Sequence, residues 1–198
     1  MITLDQFIKL SGADAGNSQR HWPSLVSAME KYEINNPMRV AAFLANVVHE
    51  TGGLRQMVEN MNYSADRLMA VWPGRFDREK AVQFERKPVH IANLVYAGRM
   101  GNELPDDGYK FRGRGMFMIT GRQAYLLASR VHGIDFIADP DLVSQPPYAA
   151  LTAAYYFHLN RLHLAADKEH LRAIRVAING GLHGFEDVKR LYQKLMDA

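Results

Sequence analysis

The pattern of apolar and polar positions predicts a chain built mostly of helices. The clearest segment is residues 38–50, in which positions 40–48 are apolar except for Asn46. A helix that is apolar on every face leaves none for water, so this segment should lie inside the fold. Gly52 and Gly53 follow it directly and predict its end.

Helical spacing of apolar residues predicts further helices on both sides of this segment. They span residues 22–32, 64–72, 89–96, 121–132, 148–158, 171–178 and 185–196. Between Gly98 and Gly121 the texture changes to a glycine-rich basic segment, in which residues 109–120 predict a small β-hairpin. With no repeat or linker, residues 1–198 are expected to form one mainly α domain.

Composition excludes several kinds of site chemistry but does not identify a binding partner. The chain has 198 residues, enough for one sizeable core, and its lack of cysteine excludes disulfides, thiolate metal sites and cysteine nucleophiles. The formal net charge of +3 favours an anionic partner such as nucleic acid or a bacterial wall. Neither a secretory signal nor a membrane-spanning stretch is evident, so we expect cytoplasmic synthesis and no stable membrane insertion.

Two carboxylates flank the glycine break after the apolar helix. Glu50 ends that helix, where a carboxylate is costly unless it is paired, hydrogen-bonded or protonated. Glu59 follows beyond the glycines. Two carboxyls on separate elements facing one cleft is the arrangement used in glycoside hydrolysis. Periodicity by itself favours a plainer interpretation, in which Glu50 caps or salt-bridges a helix end and Glu59 is a surface acid.

Metal and nucleotide sites are the first competing interpretations. His49 and Glu50 begin like the zinc-protease motif, but Gly53 stands where its second histidine belongs, and no two histidines are four residues apart. The glycines at 113 and 115 lack the third glycine of a dinucleotide motif, because position 118 is Met118. We therefore predict no metal site and no nucleotide cofactor.

Nucleic-acid binding is a further possibility, since basic and aromatic residues alternate in the glycine-rich segment. These residues are Arg99, Tyr109, Lys110, Phe111, Arg112, Arg114 and Arg122. The net charge is modest for such a role, so we predict no nucleic-acid partner. A serine nucleophile would need a Gly-x-Ser-x-Gly elbow, which the sequence lacks.

Four motifs in order resemble glycoside hydrolase family 19, the chitinase-like family, and within it the bacteriophage endolysin or lysozyme branch. They are His-Glu-Thr-Gly-Gly at 49–53, Glu-Asn-Met-Asn-Tyr-Ser at 59–64, the Phe-Arg-Gly-Arg-Gly…Ile-Thr-Gly-Arg run at 111–122 and Ile-Asn-Gly-Gly at 178–181. Residues 96–102 and 139–142 also fit that branch. The resemblance implies a lysozyme-like, mainly helical fold and inverting glycoside hydrolysis without a metal or organic cofactor.

Roles follow from the resemblance at matched positions. Glu50 takes the general-acid position, which requires a raised pKa that burial can supply. Glu59 takes the general-base position, so the two carboxyls should stand roughly 6.5–9.5 Å apart. Thr120 takes the place of the hydroxyl that helps to hold the attacking water. The implied substrate-binding residues are Tyr63, Tyr96, Arg112, Met118, Tyr125 and Asn179.

Three positions depart from the family pattern. Met118 stands where glutamine is usual, Ala124 where asparagine precedes Tyr125, and Val188 where an arginine often begins the last helix. A methionine offers no amide to the sugar, so subsite contacts known from chitinases need not carry over. Met118 is equally compatible with simple packing beside apolar neighbours.

The resemblance implies an endolysin that cuts peptidoglycan glycan strands as a muramidase during host lysis. A monomer without a separate wall-binding domain is expected, which stays in the host cytoplasm until a holin gives it access to the periplasm and wall. A chitinase acting on poly-N-acetylglucosamine remains open, and so does a non-catalytic glycan-binding or virion structural protein. DNA binding would instead show steep salt dependence.

Overall fold

The computed structural model describes residues 2–198 and confirms the predicted mainly helical architecture. In that range it contains twelve α-helices: α1 Leu4–Ser11, α2 Ala15–Lys31, α3 Pro37–Glu50, α4 Ala65–Val71, α5 Arg78–Phe84, α6 Pro88–Tyr96, α7 Asp107–Lys110, α8 Arg122–His132, α9 Tyr148–Leu159, α10 Leu162–Ala166, α11 Leu171–Asn179 and α12 Phe185–Met196. A 3-10 turn over Pro140–Ser144 precedes α9. None of these helices is long and apolar enough to cross a membrane.

The chain forms two compact units. Unit 1 comprises Met1–Met57, Gly115–Phe117 and Leu142–Ala198, and unit 2 comprises Val58–Arg114 and Met118–Asp141. Each unit contains its own cluster of buried apolar side chains. Glu50 therefore belongs to unit 1 and Glu59 to unit 2. The expected single domain over residues 1–198 stays a prediction.

Helix α3 is the centre of unit 1. Every residue from Val40 to Val48 is buried, as the continuous apolar run predicts. Asn46, the polar interruption, is accommodated because its amide donates a 2.9 Å hydrogen bond to the carbonyl of Ala42. The helix begins with Asn36 as N-cap and ends where Thr51 donates its hydroxyl to the carbonyl of Val47. Both ends are thus fixed, and the last turn presents Glu50.

Unit 2 does not contain the hairpin predicted for residues 109–120. Helix α7 occupies the first part of that segment, and no strand occurs anywhere between residues 2 and 198. What forms instead is a tight turn closed by one antiparallel bridge between Arg114 and Ile119, with backbone hydrogen bonds of 2.9 and 3.2 Å. Gly115 and Met118 both have positive φ, so the backbone reverses too soon for two strands to extend.

Candidate active site

Glu50 is held by an arginine from a different helix of unit 1. The guanidinium of Arg175, on α11, forms an ion pair with the Glu50 carboxylate. The Arg175 side chain is only 1% exposed and that of Glu50 is 16% exposed. Arg175 also donates from Nε to the carbonyl of His183 at 2.8 Å and lies 3.4 Å from Oδ1 of Asn46. The carboxyl at the end of α3 therefore has a fixed partner and a fixed direction.

Arg175 is the functional residue that sequence reasoning missed. Burying a guanidinium costs free energy unless an opposite charge and hydrogen-bond acceptors compensate for the lost water. Here the Glu50 carboxylate supplies that charge. The periodicity of α11 places Arg175 on the inward face with Ile174, but it does not indicate Glu50 as the partner. The ion pair also agrees with the plainer interpretation of Glu50 as a residue that salt-bridges a helix end.

His49 lies next to Glu50 in a close-packed position. Burial and then the charge of Arg175 lower the pKa of His49, so its imidazole is neutral at neutral pH. The ring packs directly against Gly184, the residue before α12. A Cβ placed on Gly184 would sit 2.1 Å from Nε2 of His49, and the φ of Gly184 is +70°. The loop before α12 therefore needs glycine here for two separate reasons.

In unit 2, Glu59 is fixed by two hydrogen bonds to its carboxylate. The Tyr96 hydroxyl donates to Oε1 at 2.6 Å, and the Gly113 amide donates to Oε2 at 3.0 Å. The Glu59 amide also donates to the Gly113 carbonyl at 2.8 Å. A carboxylate oxygen has two lone pairs, so each oxygen of Glu59 can still accept a hydrogen bond from a water. Glu59 is half-buried and oriented, unlike a freely moving surface acid.

Two tyrosines predicted to bind substrate lie around this carboxylate. Burial and then the charge of Glu59 raise the pKa of both Tyr63 and Tyr96. Both hydroxyls are therefore protonated, and that of Tyr96 serves as a donor to Glu59. The Tyr63 ring packs edge-on against Trp72 with the ring centroids 5.0 Å apart.

Thr120 comes close to Glu59 because Gly113 has no side chain. A Cβ on Gly113 would lie 3.2 Å from Cβ of Glu59 and 3.3 Å from the Thr120 hydroxyl oxygen. That hydroxyl donates to the carbonyl of Met118 at 2.9 Å, which leaves its oxygen lone pairs free to accept. The structure thus brings Glu59, Tyr96 and Thr120 together around one glycine.

The prediction that Tyr125 contacts substrate needs correction. Its side chain is 0% exposed, and its hydroxyl donates to the Arg112 carbonyl at 2.7 Å while accepting from the Arg114 guanidinium at 3.0 Å. Burial raises its pKa to about 12. Tyr125 therefore has no surface for a sugar. It holds the backbone of the segment that ends in Gly113.

Arg112 and Met118 lie on the same segment with different surroundings. The Arg112 guanidinium stacks 4.0 Å from the centroid of the Tyr109 ring and donates to the Tyr109 carbonyl at 2.9 Å. Within residues 2–198 it forms no ion pair, so its charge is available to a ligand. Met118 is half-buried with φ of +48°, and its carbonyl rather than its side chain contacts Thr120.

Asn179 is exposed at the last position of α11, four residues after Arg175. Residues four apart share a helix face, so Asn179 lies on the face that carries Arg175. Val188, which replaces the expected arginine, is 1% exposed and packs in the core of unit 1. The catalytic roles, the substrate-binding roles other than that of Tyr125, and the expected separation of the carboxyls of Glu50 and Glu59 stay predictions.

Comparisons with known proteins agree on one family. Residues 17–165 match the glycoside hydrolase family 19 model, described as chitinase class I. A glycosyl hydrolase family 19 domain-containing protein of Haemophilus influenzae is 36% identical over 178 residues, covering 88% of this chain and 87% of that protein. Chitinase 4 of Oryza sativa subsp. japonica is 27% identical over 78% of this chain, which spans only 44% of that relative.

Solved structures show the same fold at lower identity. A bacterial family 19 chitinase superposes with a TM-score of 0.65 at 24% identity, covering 98% of this chain and 94% of that one. Chitinase C from Streptomyces griseus HUT6037 gives a TM-score of 0.59 at 23% identity, covering 98% and 73%. From the family match and the Haemophilus relative, this chain belongs to glycoside hydrolase family 19, the chitinase-like glycosidases.

Proposed function

We propose that this family 19 glycosidase is an endolysin that hydrolyses the glycan strands of bacterial peptidoglycan as a muramidase. The observation that carries the proposal is the separate fixation of two carboxyls. Glu50 is held by Arg175, and Glu59 is held by Tyr96 and Gly113. Two carboxyls with different partners suit the acid and base of a single inverting displacement.

Glu50 acts as the general acid in this mechanism. Its carboxylate first takes up a proton from solvent. It then transfers that proton to the glycosidic oxygen as the bond from that oxygen to the anomeric carbon breaks, and it returns to the carboxylate form. Arg175, already in contact with the carboxyl, stabilises the negative charge that develops. The arginine thus stabilises the carboxylate that forms when Glu50 has donated its proton, and it holds the carboxyl in position during the transfer.

Glu59 acts as the general base. It removes one proton from a water whose oxygen attacks the anomeric carbon from the face opposite the leaving group, so the configuration inverts. The Tyr96 and Gly113 hydrogen bonds hold the carboxylate while its free lone pairs contact this water. Thr120, placed beside Gly113, accepts the second water proton as a hydrogen bond.

Charge favours peptidoglycan over chitin as the substrate. Peptidoglycan strands carry the free carboxylates of their peptide stems, whereas chitin is neutral. The chain has a net charge of +3. Three basic residues, Lys110, Arg112 and Arg114, line a surface groove of unit 2, against two acidic ones, Asp106 and Asp141. The endolysin-like motifs at residues 96–102 and 139–142 support the same substrate. A monomer released from the host cytoplasm by a holin, acting in the periplasm, completes the proposal.

Mass spectrometry of digested peptidoglycan tests the reaction. Wild-type protein should release fragments with new reducing ends on N-acetylmuramic acid, each one water heavier than the intact linkage. Glu50→Gln should release none, while Glu30→Gln, at an exposed glutamate of α2, should match wild type. New reducing ends on N-acetylglucosamine alone would overturn the muramidase assignment. Release by Glu50→Gln at the wild-type rate would remove Glu50 from the mechanism.

Chitinase activity is the second candidate, because relatives in rice and the superposed bacterial proteins bear that name. Cleavage of soluble chitin oligosaccharides, with peptidoglycan left intact, would select it. A protein that binds glycan but releases no reducing ends from either polymer would instead be a binding or virion structural protein.

A further inference from the structure

Three potential metal ligands converge in unit 1, and none is a predicted site residue. Glu33 follows α2, His158 lies near the end of α9, and His163 lies in α10. Each offers one ligand atom, and these three atoms lie within 4.8 Å of one another. Residue spacing does not indicate this group, because Glu33 is far in the chain from the two histidines and only the fold brings it to them.

His163 provides an independent sign of a missing ligand. Its side chain is 5% exposed, and its Nδ1 forms no well-aligned hydrogen bond within residues 2–198, although the backbone of Phe157 lies near the ring. Buried ring nitrogens nearly always have a partner, so such an atom needs an explanation.

His158 and Glu33 lie beside His163. The rings of His158 and His163 stack with their centroids 4.6 Å apart and their planes within 7°, so one ring has to rotate before both in-plane lone pairs can reach one ion. That rotation would also break the 3.3 Å contact between Nδ1 of His158 and the Tyr32 carbonyl if His158 is the ring that moves. Nδ1 of His158 lies 3.7 Å from Oε2 of Glu33. The side chain of Glu33 is 64% exposed and that of His158 is 38% exposed, so an ion can enter from solvent.

The charge of Arg39, which lies near His163, does not oppose a metal ion. Arg39 donates to the backbone carbonyl of Glu33 at 2.7 Å, which brings its charge near the three ligands. Its guanidinium is also ion-paired with Asp167 at 2.6 Å. The carboxylate of Asp167 offsets the charge of Arg39, so the charge of Glu33 remains for the ligand.

We propose that Glu33, His158 and His163 bind a divalent transition-metal ion, with Zn²⁺ the best match to the donor set. Two imidazole nitrogens and one carboxylate oxygen are ordinary zinc ligands, and a water would complete a tetrahedral site. The bound ion would join the end of α2 to α9 and α10. Its role would be to stabilise unit 1, and hydrolysis by Glu50 and Glu59 would not need it.

Calorimetric titration of tag-free, metal-free protein with Zn²⁺ tests the site. Wild type should bind one ion per chain. Glu33→Gln and His158→Ala should each weaken binding by about tenfold or more, on the scale seen when metal sites lose supporting groups. His170→Ala removes an exposed histidine of the same unit outside the cluster and should leave the affinity unchanged.

Thermal unfolding with and without Zn²⁺ gives a second readout that does not depend on activity. The ion should raise the unfolding midpoint of wild type and of His170→Ala, but not that of His158→Ala, because only a ligand of the folded state stabilises it. His158 and Glu33 are both partly exposed, so their variants should fold. The absence of saturable binding, or equal binding by wild type and both cluster variants, would overturn the proposal.

Discussion

At the residue scale, the hydroxyl of Tyr96 is the contact most directly tied to the proposed base. Tyr96→Phe removes the 2.6 Å hydrogen bond to Glu59 and leaves the ring in place. Hydrogen bonds to charged groups are worth about 1.5–3 kcal/mol, so we expect kcat to fall about tenfold or more. Steady-state kinetics on the released-reducing-end assay measures this loss.

A matched control is Tyr156→Phe, which removes a 2.6 Å hydrogen bond from a tyrosine hydroxyl to the Ala177 carbonyl in unit 1. It loses the same chemical group without touching a carboxylate, so its kcat should stay near that of wild type. Equal kcat values for wild type and Tyr96→Phe would show that this hydrogen bond does not support catalysis.

Arg175 makes a second prediction at this scale. Arg175→Met keeps much of the side-chain volume but leaves the largely buried Glu50 without its cation. Removing one partner of a buried ion pair costs about 3–5 kcal/mol, so both the free energy of unfolding and kcat should fall. Urea unfolding and kinetics measure the two effects. Arg172→Met, at an exposed arginine on the same helix, removes only a cation–π contact with Phe185 and should change stability by about 1 kcal/mol or less.

At the element scale, the loop between α11 and α12 contacts the end of α3 through one glycine. Gly184→Ala adds a methyl group 2.1 Å from the His49 ring, on a backbone with φ of +70°. Left-handed alanine costs about 1–2 kcal/mol, and displacement of His49 beside Glu50 adds to it. We expect a loss of both unfolding free energy and activity.

Gly12→Ala is the control that separates backbone strain at positive φ from steric overlap with a neighbouring side chain. Gly12 has a similar φ of +69°, ends α1, and has no atom within 4 Å of an added Cβ. Its variant should lose only the strain energy and keep full activity. If the two variants lose equal stability and both stay active, the Gly184 contact has no role in placing the end of α3.

The start of α3 gives a pH-dependent prediction. Hydrogen bonds from Arg39 and then Asn36 lower the pKa of Asp167 from 3.8 to about 2. Because the folded pKa lies below the unfolded one, the stabilisation is complete above about pH 4 and is lost as pH falls through about 2. It amounts to at most about 2 kcal/mol. Urea unfolding should show Asp167→Asn less stable than wild type at pH 7, with the two converging near pH 2. A constant difference across this range would contradict the assignment.

The elements also show what sequence can predict. The run at positions 40–48 of α3, which is apolar except for Asn46, predicted its place in the core, because an amphipathic surface helix has a polar face. The start of α2 was predicted too late, because its first turns are polar and the signal was the single N-cap, Asp14. The predicted hairpin was wrong because glycine-rich extended and turn segments have the same composition.

For the candidate site too, the sequence predicted some residues and not others. The carboxyls of Glu50 and Glu59 stood out in the sequence because each occupies a position with a chemical cost or a motif. Arg175 and the buried state of Tyr125 did not, because both depend on contacts across the chain. Long-range partners have no local signature, so this part of the site required the structure.

At the scale of the whole molecule, net charge separates the two candidate substrates. A chain with a charge of +3 should bind an anionic glycan more weakly as salt screens the attraction. We expect KM on peptidoglycan to rise between low and high salt, and KM on neutral chitin oligosaccharides to stay constant. Comparing both substrates at each salt concentration checks this. Equal salt responses would argue against an electrostatic preference for the wall.

The contacts described for Glu50 all come from unit 1, and those described for Glu59 all come from unit 2. This separation has an evolutionary consequence. Substitutions around Glu50 need not disturb the groups that hold Glu59. The surroundings of the two carboxyls can therefore change and be selected separately. Such independence shortens the mutational route by which a family acting on one polymer acquires enzymes for another.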